Sequence, residues 1–314
     1  MTSNVLDSIL DPGTGSPEEQ TIPTTSPLRL NWSNLMMMVV FHLLAAAAVV
    51  YAVFHFSWYT VGLSAIWLAC CGFSITGGYH RLFSHPTYRC IWPLKLFHLL
   101  FGAASVQNSA LAWSSDHRVH HKHTDHDEDP YNIKKSFWWA HIGWIFFETR
   151  RPNDYRNVKD LLADPMICWQ EKYYIPIAMF VGVLLPMLIG LLWGDPIGCL
   201  LMAGFLRLVL QYHFTFSINS LAHVVGHQPY SRANSARDSF FTAFLTLGEG
   251  YHNYHHRFPI DYRNGVRFYH FDPTKWILRG FSFVGITRDL RRTPKEIVTR
   301  AIEEVRNERN APTA

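Results

Sequence analysis

Charge is scarce in this 314-residue chain: 17% of its residues are charged, against 48% hydrophobic and 15% aromatic. A soluble domain usually carries about 25% charged residues, so the shortage argues for a membrane environment. Cysteine is sparse too. Cys70, Cys71, Cys90, Cys168 and Cys199 form no Cys-x-x-Cys pair, which excludes a zinc ribbon and gives no disulfide framework. Paired carboxylate motifs are lacking: Glu249-x-x-His252 is half of a carboxylate-bridged di-iron signature, and that architecture needs two such motifs plus further Glu residues on inward-facing helices. No apolar core follows Met1, so no signal peptide is expected; residues 1–30, rich in Pro, Ser, Thr and Gly, read as a disordered arm. Net charge is only +4, and no nucleic-acid partner is expected.

What is abundant is long apolar runs. Four of them, at about 35–56, 58–78, 174–193 and 197–218, each approach the ~20 residues that cross a bilayer. The first two are joined only near Ser57 and the last two by Gly194-Asp195-Pro196, so they form two tight hairpins. An even number of crossings puts both termini and the 79–173 loop on one side. Of the 28 Lys and Arg, only Arg207 lies within a span, and neither hairpin tip carries any. The positive-inside rule makes the polar side cytoplasmic. Arg207 is a functional candidate by its depth, with pairing to backbone or a neighbouring helix as the alternative. Residues 92–111 are apolar but interrupted by Pro93, Lys95 and Gln107-Asn108, which predicts a helix lying on the membrane face. Thr293-Pro294-Lys295-Glu296 opens a tail helix, 291–314, expected to be solvated.

Half of the 18 histidines fall into clusters: His80-x4-His85, His117-x-x-His120-His121, His223 four residues after Asn219, and His252-x-x-His255-His256. Positions i, i+3 and i+4 share a helix face, so each His-x-x-His-His presents three imidazoles together. The five-residue gap of the first box does not fit one α-helical face and predicts a helix end before Pro86. All four clusters sit at one membrane surface. Nine imidazoles and an amide exceed what one metal takes, which points to two. Imidazole suits iron, zinc and copper alike. His123 and His126, among Asp125, Asp127, Glu128 and Asp129, are expected to lie outside the ligand set. Asp116 is a candidate to orient imidazoles, with helix capping as the alternative.

Gly78-Tyr79-His80-Arg81-Leu82-Phe83-Ser84-His85, Asp116-His117-Arg118-Val119-His120-His121 and Gly250-Tyr251-His252-Asn253-Tyr254-His255-His256 resemble the three histidine boxes of the membrane acyl-CoA Δ9 (stearoyl-CoA type) desaturases. Asn219-Ser220-Leu221-Ala222-His223 is similar to that family's extra ligand pair, in which the Asn acts through water. The resemblance runs from about residue 35 to 290, with Trp113, Asp129-Pro130 and His141-Ile142-Gly143-Trp144 included.

It implies an all-α integral membrane protein, four transmembrane helices in two hairpins under a helical cytosolic cap that holds a di-metal site. The desaturase domain would be 31–290, its cap 79–173 and 219–290. The resemblance groups His80, His85, His117, His121 and His255 around one iron, and His120, His223, His252 and His256, with Asn219 through water, around the other. Zinc can substitute in purified protein. It implies removal of two hydrogens from a long-chain acyl thioester, at Δ9, with dioxygen and two electrons. The tail leaves no room for a fused haem-binding electron carrier, so a separate electron-transfer protein is expected.

Trp113 and Thr215 match positions that shape the bend of the acyl tunnel, and Asn108 is counted with the substrate contacts; ordinary packing is the alternative. Arg118, Lys122, Arg150 and Arg151 are expected to form a basic mouth for the carrier's phosphates, or else to face membrane lipid headgroups. Leu68, Gly72 and Thr76 precede His80 at four-residue intervals and are expected to measure the acyl tail, with close helix packing as the rival role of Gly72. Two departures from the family pattern, Ala112 before Trp113 and Glu148-Thr149 ahead of Arg150-Arg151, leave acyl-CoA, an acyl carrier protein and a lipid-bound acyl group open. A membrane hydroxylase of lipids or alkanes and a non-catalytic zinc-binding membrane protein are the competing classes.

Overall fold

The computed structural model describes residues 28–148 and 155–310. Residues 1–27 of the expected disordered arm, and Arg150 and Arg151 of the expected basic mouth, lie outside the described residues. In chain order the helices that matter here are α1 (Trp32–Phe54), α2 (Trp58–Ser84), α3 (Trp92–Ala103), α4 (Ala110–His123) and α5 (Pro165–Lys172). They are followed by α6 (Tyr174–Trp193), α7 (Pro196–Val224), α8 (His252–Arg257), α9 (Pro273–Phe283) and α10 (Lys295–Asn310).

Four of these, α1, α2, α6 and α7, are long and apolar enough to cross a membrane. Val39, Val40, Leu43, Val50 and Val53 stand exposed along α1; on a water-facing helix that patch would be a liability, and on a spanning helix it meets lipid. Between the hairpins, Leu63, Trp67 and Cys71 of α2 pack against Ile177, Ala178 and Val181 of α6 and Cys199 and Ala203 of α7. At the far tip Asp195 staples the two hairpins. Its carboxylate accepts from Tyr51 Oη (2.8 Å), Thr60 Oγ1 (2.5 Å) and the Gly198 amide (2.9 Å). Gly194 turns that tip with φ of +74°, a conformation glycine reaches without a Cβ penalty.

Three of the spans contain π-helical turns: Ser74–Ser84, Phe180–Leu184 and Leu200–Leu206. Such widened turns disturb the regular i→i−4 pairing of carbonyls, and Arg207 exploits two of them. Its guanidinium, 1% exposed, donates to Gly182 O (2.9 Å), Ala203 O (3.0 Å) and Ala104 O (2.9 Å). The intramembrane cation is thus held by backbone dipoles from three elements.

Two expectations need correction. The apolar stretch 92–111 is not one helix. Val106 and Asn108 take positive φ (50° and 73°), which ends α3, and Ser109 accepts from Ala112 N (3.1 Å) to cap α4 in a new direction. The tail helix is not simply solvated. Val298, Ala301 and Val305 of α10 are buried, the first two in a cluster with Tyr230, Tyr254 and Phe258. The only sheet among the described residues pairs β1 (Arg89–Cys90) with β2 (Thr287–Arg288), antiparallel, and ties the far end of the cap back to the exit of α2.

Candidate metal centre

The second span does not stop at residue 78. It continues to Ser84 as a π-helix, and His85 N donates to His80 O (3.2 Å) across a five-residue step. The wide turn therefore does what an α-helix cannot, setting His80 and His85 side by side with ring centroids 5.0 Å apart. Helix α4 contributes His117, His120 and His121. Helix α8 contributes His252, His255 and His256, and the last turn of α7 contributes His223.

These nine rings form two groups. In one, single nitrogens of His80, His85, His117, His121 and His255 all lie within 4.8 Å of one another; in the other, those of His120, His223, His252 and His256 do. The membership is the one the resemblance implies. His255 Nε2 lies 2.9 Å from both His80 Nε2 and His121 Nε2, His85 Nε2 lies 2.8 Å from His117 Nε2, and His252 and His256 meet at 3.0 Å. One nitrogen facing two others leaves lone pairs opposed unless a cation stands among them. A metal–nitrogen bond of about 2.1 Å at right angles separates neighbouring ligands by about 3.0 Å, which is the spacing seen.

Three outward nitrogens are held from behind. His120 Nδ1 bonds Asp129 Oδ1 (2.9 Å), and His223 Nδ1 bonds Ser235 Oγ (2.7 Å), itself bound to Asp125 (2.5 Å). Glu249 Oε2 sits 2.7 Å from His80 Nδ1. With their outer nitrogens engaged, the buried Nε2 atoms of His120 and His223 have no protein partner at all. Ligating imidazoles are built this way, one nitrogen oriented by a carboxylate or hydroxyl and the other free for the metal. Burial first, then the neighbouring rings, holds His85, His117, His121, His252, His255 and His256 well below the ordinary imidazole value. They are neutral at pH 7, the form that binds metal. The residues present fit a pair of metals.

Behind Glu249 stands a buried ionic cluster that the sequence reading missed. Arg81 donates to Glu249 Oε1 (Nη2, 2.9 Å), to Asp272 Oδ1 (3.0 Å) and to Tyr262 O (2.8 Å), and Asn264 Nδ2 donates to Glu249 Oε2 (2.6 Å). The signal was present in Arg81, a cation directly beside the expected ligand His80 that called for anions elsewhere in the chain. His123 and His126 join neither group. Asn219 ends the regular part of α7, one turn before His223.

The other expected site residues are scattered around the two groups. Trp113 stacks on His117 (4.9 Å, 18°), and Thr215 Oγ1 accepts from Gln107 Nε2 (3.1 Å). The Asn108 amide donates to Tyr174 Oη (3.1 Å). Lys122 is exposed. Arg118 has little left for a phosphate: it pairs with Asp160 (2.7 and 2.8 Å) and donates to Phe83 O, Ser84 O and Asn157 O, locking α4 to the end of α2. Leu68 and Gly72 lie one α-helical turn apart, and Thr76 lies in the π-helical stretch that begins at Ser74 and carries His80. Thr76 Oγ1 bonds Thr274 Oγ1 (2.7 Å), and a Cβ on Gly72 would meet Leu247 Cδ1 at 2.9 Å.

The fatty acid desaturase family profile matches residues 56–283. A Schizosaccharomyces pombe protein named "Probable acyl-CoA desaturase" is 44% identical over 277 residues, 87% of this chain and 57% of that protein. Acyl-CoA desaturase 1 of Saccharomyces cerevisiae is 39% identical over 284 residues, 87% of this chain and 54% of its own length. Stearoyl-CoA desaturase 5 of Bos taurus is 33% identical over 277 residues, 85% of this chain and 81% of that protein. The chain spans little more than half the length of the two yeast relatives. A chain with four candidate spans and nine clustered histidines, matched over most of its length in this way, belongs to the fatty acid desaturase family.

Proposed function

We propose that this protein introduces a double bond, at Δ9, into a long-chain fatty acyl thioester carried by coenzyme A, using two irons, dioxygen and two electrons from an electron-transfer protein. The observation that carries the reading is the pair of adjoining nitrogen groups, in which the outer nitrogens of His80, His120 and His223 face buried acid or hydroxyl groups. Bound iron supplies activated dioxygen, an oxidant strong enough for an unactivated C–H bond, which no side chain provides. The protein's part is orientation. Glu249, Asp129 and the Asp125–Ser235 pair fix the tautomer and angle of His80, His120 and His223. Asn219 would hold a water beside the four-nitrogen group. Trp113, stacked on His117, and Thr215 would line the bend that presents one stretch of the acyl chain to the centre. Gly72, against Leu247, would bound the space for the tail. Lys122 with Arg150 and Arg151 would meet the carrier's phosphates. The one-sided distribution of Lys and Arg supports termini and cap on the cytoplasmic face.

The test is expression in a host without its own desaturase, followed by gas chromatography of the acyl chains and metal analysis of the purified protein. A Δ9 monounsaturated product and about two irons per chain are expected; hydroxylated chains would replace this reading with a hydroxylase.

A further inference from the structure

Helix α9 has two unlike faces. Thr274, Lys275 and Leu278 are buried on one, where the Lys275 amine donates to Gly265 O (2.6 Å), Arg267 O (2.9 Å) and His270 O (3.1 Å). The other carries Trp276, Ile277, Gly280, Phe283 and the C-cap Val284, spaced i, i+1, i+4, i+7 and i+8, which is a single stripe along a helix. The stripe is apolar and open. Phe283 is 74% and Val284 71% exposed, Trp276 and Ile277 are exposed as well, and a Cβ on Gly280 would meet nothing within 4 Å. A positive charge flanks it: Arg279 lays its guanidinium over the Phe283 ring, 4.7 Å from the centroid.

The apolar surface does not end with α9. Trp276 meets Phe271 (5.7 Å between centroids), and Phe271 meets Phe244 (5.2 Å). Phe244 belongs to the short helix Phe240–Leu245, which packs against α7. Phe240, Phe241 and Phe244 all stand exposed there. Two helices that flank the third histidine cluster in the chain thus share one apolar surface, and a contiguous patch of this kind marks a contact with something other than water.

Depth identifies the occupant. Phe281 of α9 packs on Phe73 of α2 (6.4 Å between centroids), and Thr274 Oγ1 bonds Thr76 Oγ1 of the same span (2.7 Å). Phe73 and Thr76 precede His80 along α2, so α9 lies about 6–10 Å nearer the bilayer than the ligand, at the rise of a helix. Ile66, two turns before Phe73 and on the same side of α2, is 58% exposed. On a spanning helix that side chain meets lipid, and the lipid over Ile66 runs up to the flank of α9. A stripe of aromatic and aliphatic side chains beside an arginine, at this level, is the pattern of a helix lying in the interface with its apolar face sunk about 5–10 Å into the headgroup and acyl boundary.

We propose that α9 and the helix Phe240–Leu245 are a membrane-docking surface of the cap, sunk into the adjoining phospholipid leaflet with the stripe among acyl chains and Arg279 at the level of the phosphates. The mooring reaches the metal centre. Asp272, which caps α9 by accepting from Lys275 N (2.9 Å), is also the acid that grips Arg81 behind Glu249 and His80. The contact follows from the four spans and holds whatever reaction the centre performs.

The experiment uses the full chain in nanodiscs of palmitoyl-oleoyl phosphatidylcholine, with the photoreactive residue p-benzoylphenylalanine placed at Phe283, Trp276 or Phe241, one site at a time. Leu43, exposed on α1, is the standard for lipid contact, and Glu303, exposed on α10, is the background. Irradiation should add the mass of one phospholipid at each of the three sites, severalfold more often than at Glu303 and as often as at Leu43. As a second measurement, the part of the fluorescence that disappears in Trp276→Phe should be quenched by brominated lipid and spared by acrylamide. Adducts at Leu43 with none above background at Phe283 and Phe241 overturn the proposal. A product of twice the chain mass assigns the stripe to a second copy and overturns it equally. Failure at Leu43 as well would withdraw the membrane from the spans and from the stripe together.

Discussion

The two nitrogen groups use the same ligand and differ in what stands behind it. The five-nitrogen group is anchored to the membrane bundle. Its backing acid, Glu249, is fixed by Arg81 of α2, which Asp272 at the N-terminus of α9 also grips, all three at most 3% exposed. The four-nitrogen group is anchored to turns. Asp129 and Asp125 lie in the segment after α4, where Asp125 takes φ of +69°, and Ser235 belongs to the loop after α7. Identical rings can thus be positioned by charges buried in the bundle or by buried acids carried on turns. Variants that separate fold from metal affinity should tell the groups apart.

The largest effect is expected at the ligands. His255→Ala removes the ring that faces both His80 and His121, and activity should fall by more than the about 10–100-fold typical of second partners, with membrane insertion intact. Wild-type turnover would remove His255 from the centre. Next comes Arg81→Met, which strands Glu249 and Asp272 without their cation. Breaking such a buried pair costs about 3–5 kcal/mol, so thermal unfolding should shift sharply downward; an unchanged midpoint would mean that the cluster is not structural. Asp129→Asn should do the reverse, leaving the unfolding midpoint near wild type while metal affinity in the four-nitrogen group falls by about 10–100-fold. Equal loss from both groups would erase the distinction drawn here.

Acid offers a milder probe. Six ring values in the two groups lie below the ordinary imidazole range, burial being the main cause. The unfolded chain therefore binds protons first as pH falls through about 6.5, and apoprotein stability should decline below that point. A flat profile from pH 7 to 5 would contradict the buried, neutral rings. The smallest effect is expected from Gly72→Ile, remote from both groups. It should shift chain-length preference toward shorter acyl chains with the double bond unmoved, and an unchanged profile would leave Gly72 a packing residue.

Much of this was legible in the residues. Bilayer thickness fixes the length of an apolar run, so the four spans and their hairpin pairing were readable within a few residues. Helical periodicity likewise made each His-x-x-His-His a three-ring face. The backing groups were not readable, because Asp125, Asp129 and Ser235 act through turns whose geometry follows from tertiary packing. The widening of α2 was hidden for the same reason. Its residues read equally well as an ordinary helix that ends near Gly78. The docking of α10 depends on three small apolar side chains whose spacing a solvated helix could also show.

The π-helical exit of α2 carries a consequence for how this chain can vary. A widened turn is in effect one residue absorbed without lengthening the helix, and it sets the angular phase at which everything beyond it emerges. Deleting a single residue between Ser74 and Tyr79 would let the segment relax to α-helix, in which His80 and His85, five residues apart, point about 140° away from each other. The pair would no longer share one side of the helix, while the hydropathy of the span stayed almost unaltered. Length changes in this eleven-residue stretch are therefore far less tolerable than substitutions, even though nothing in its composition marks it as the part of the span that keeps time for the rest.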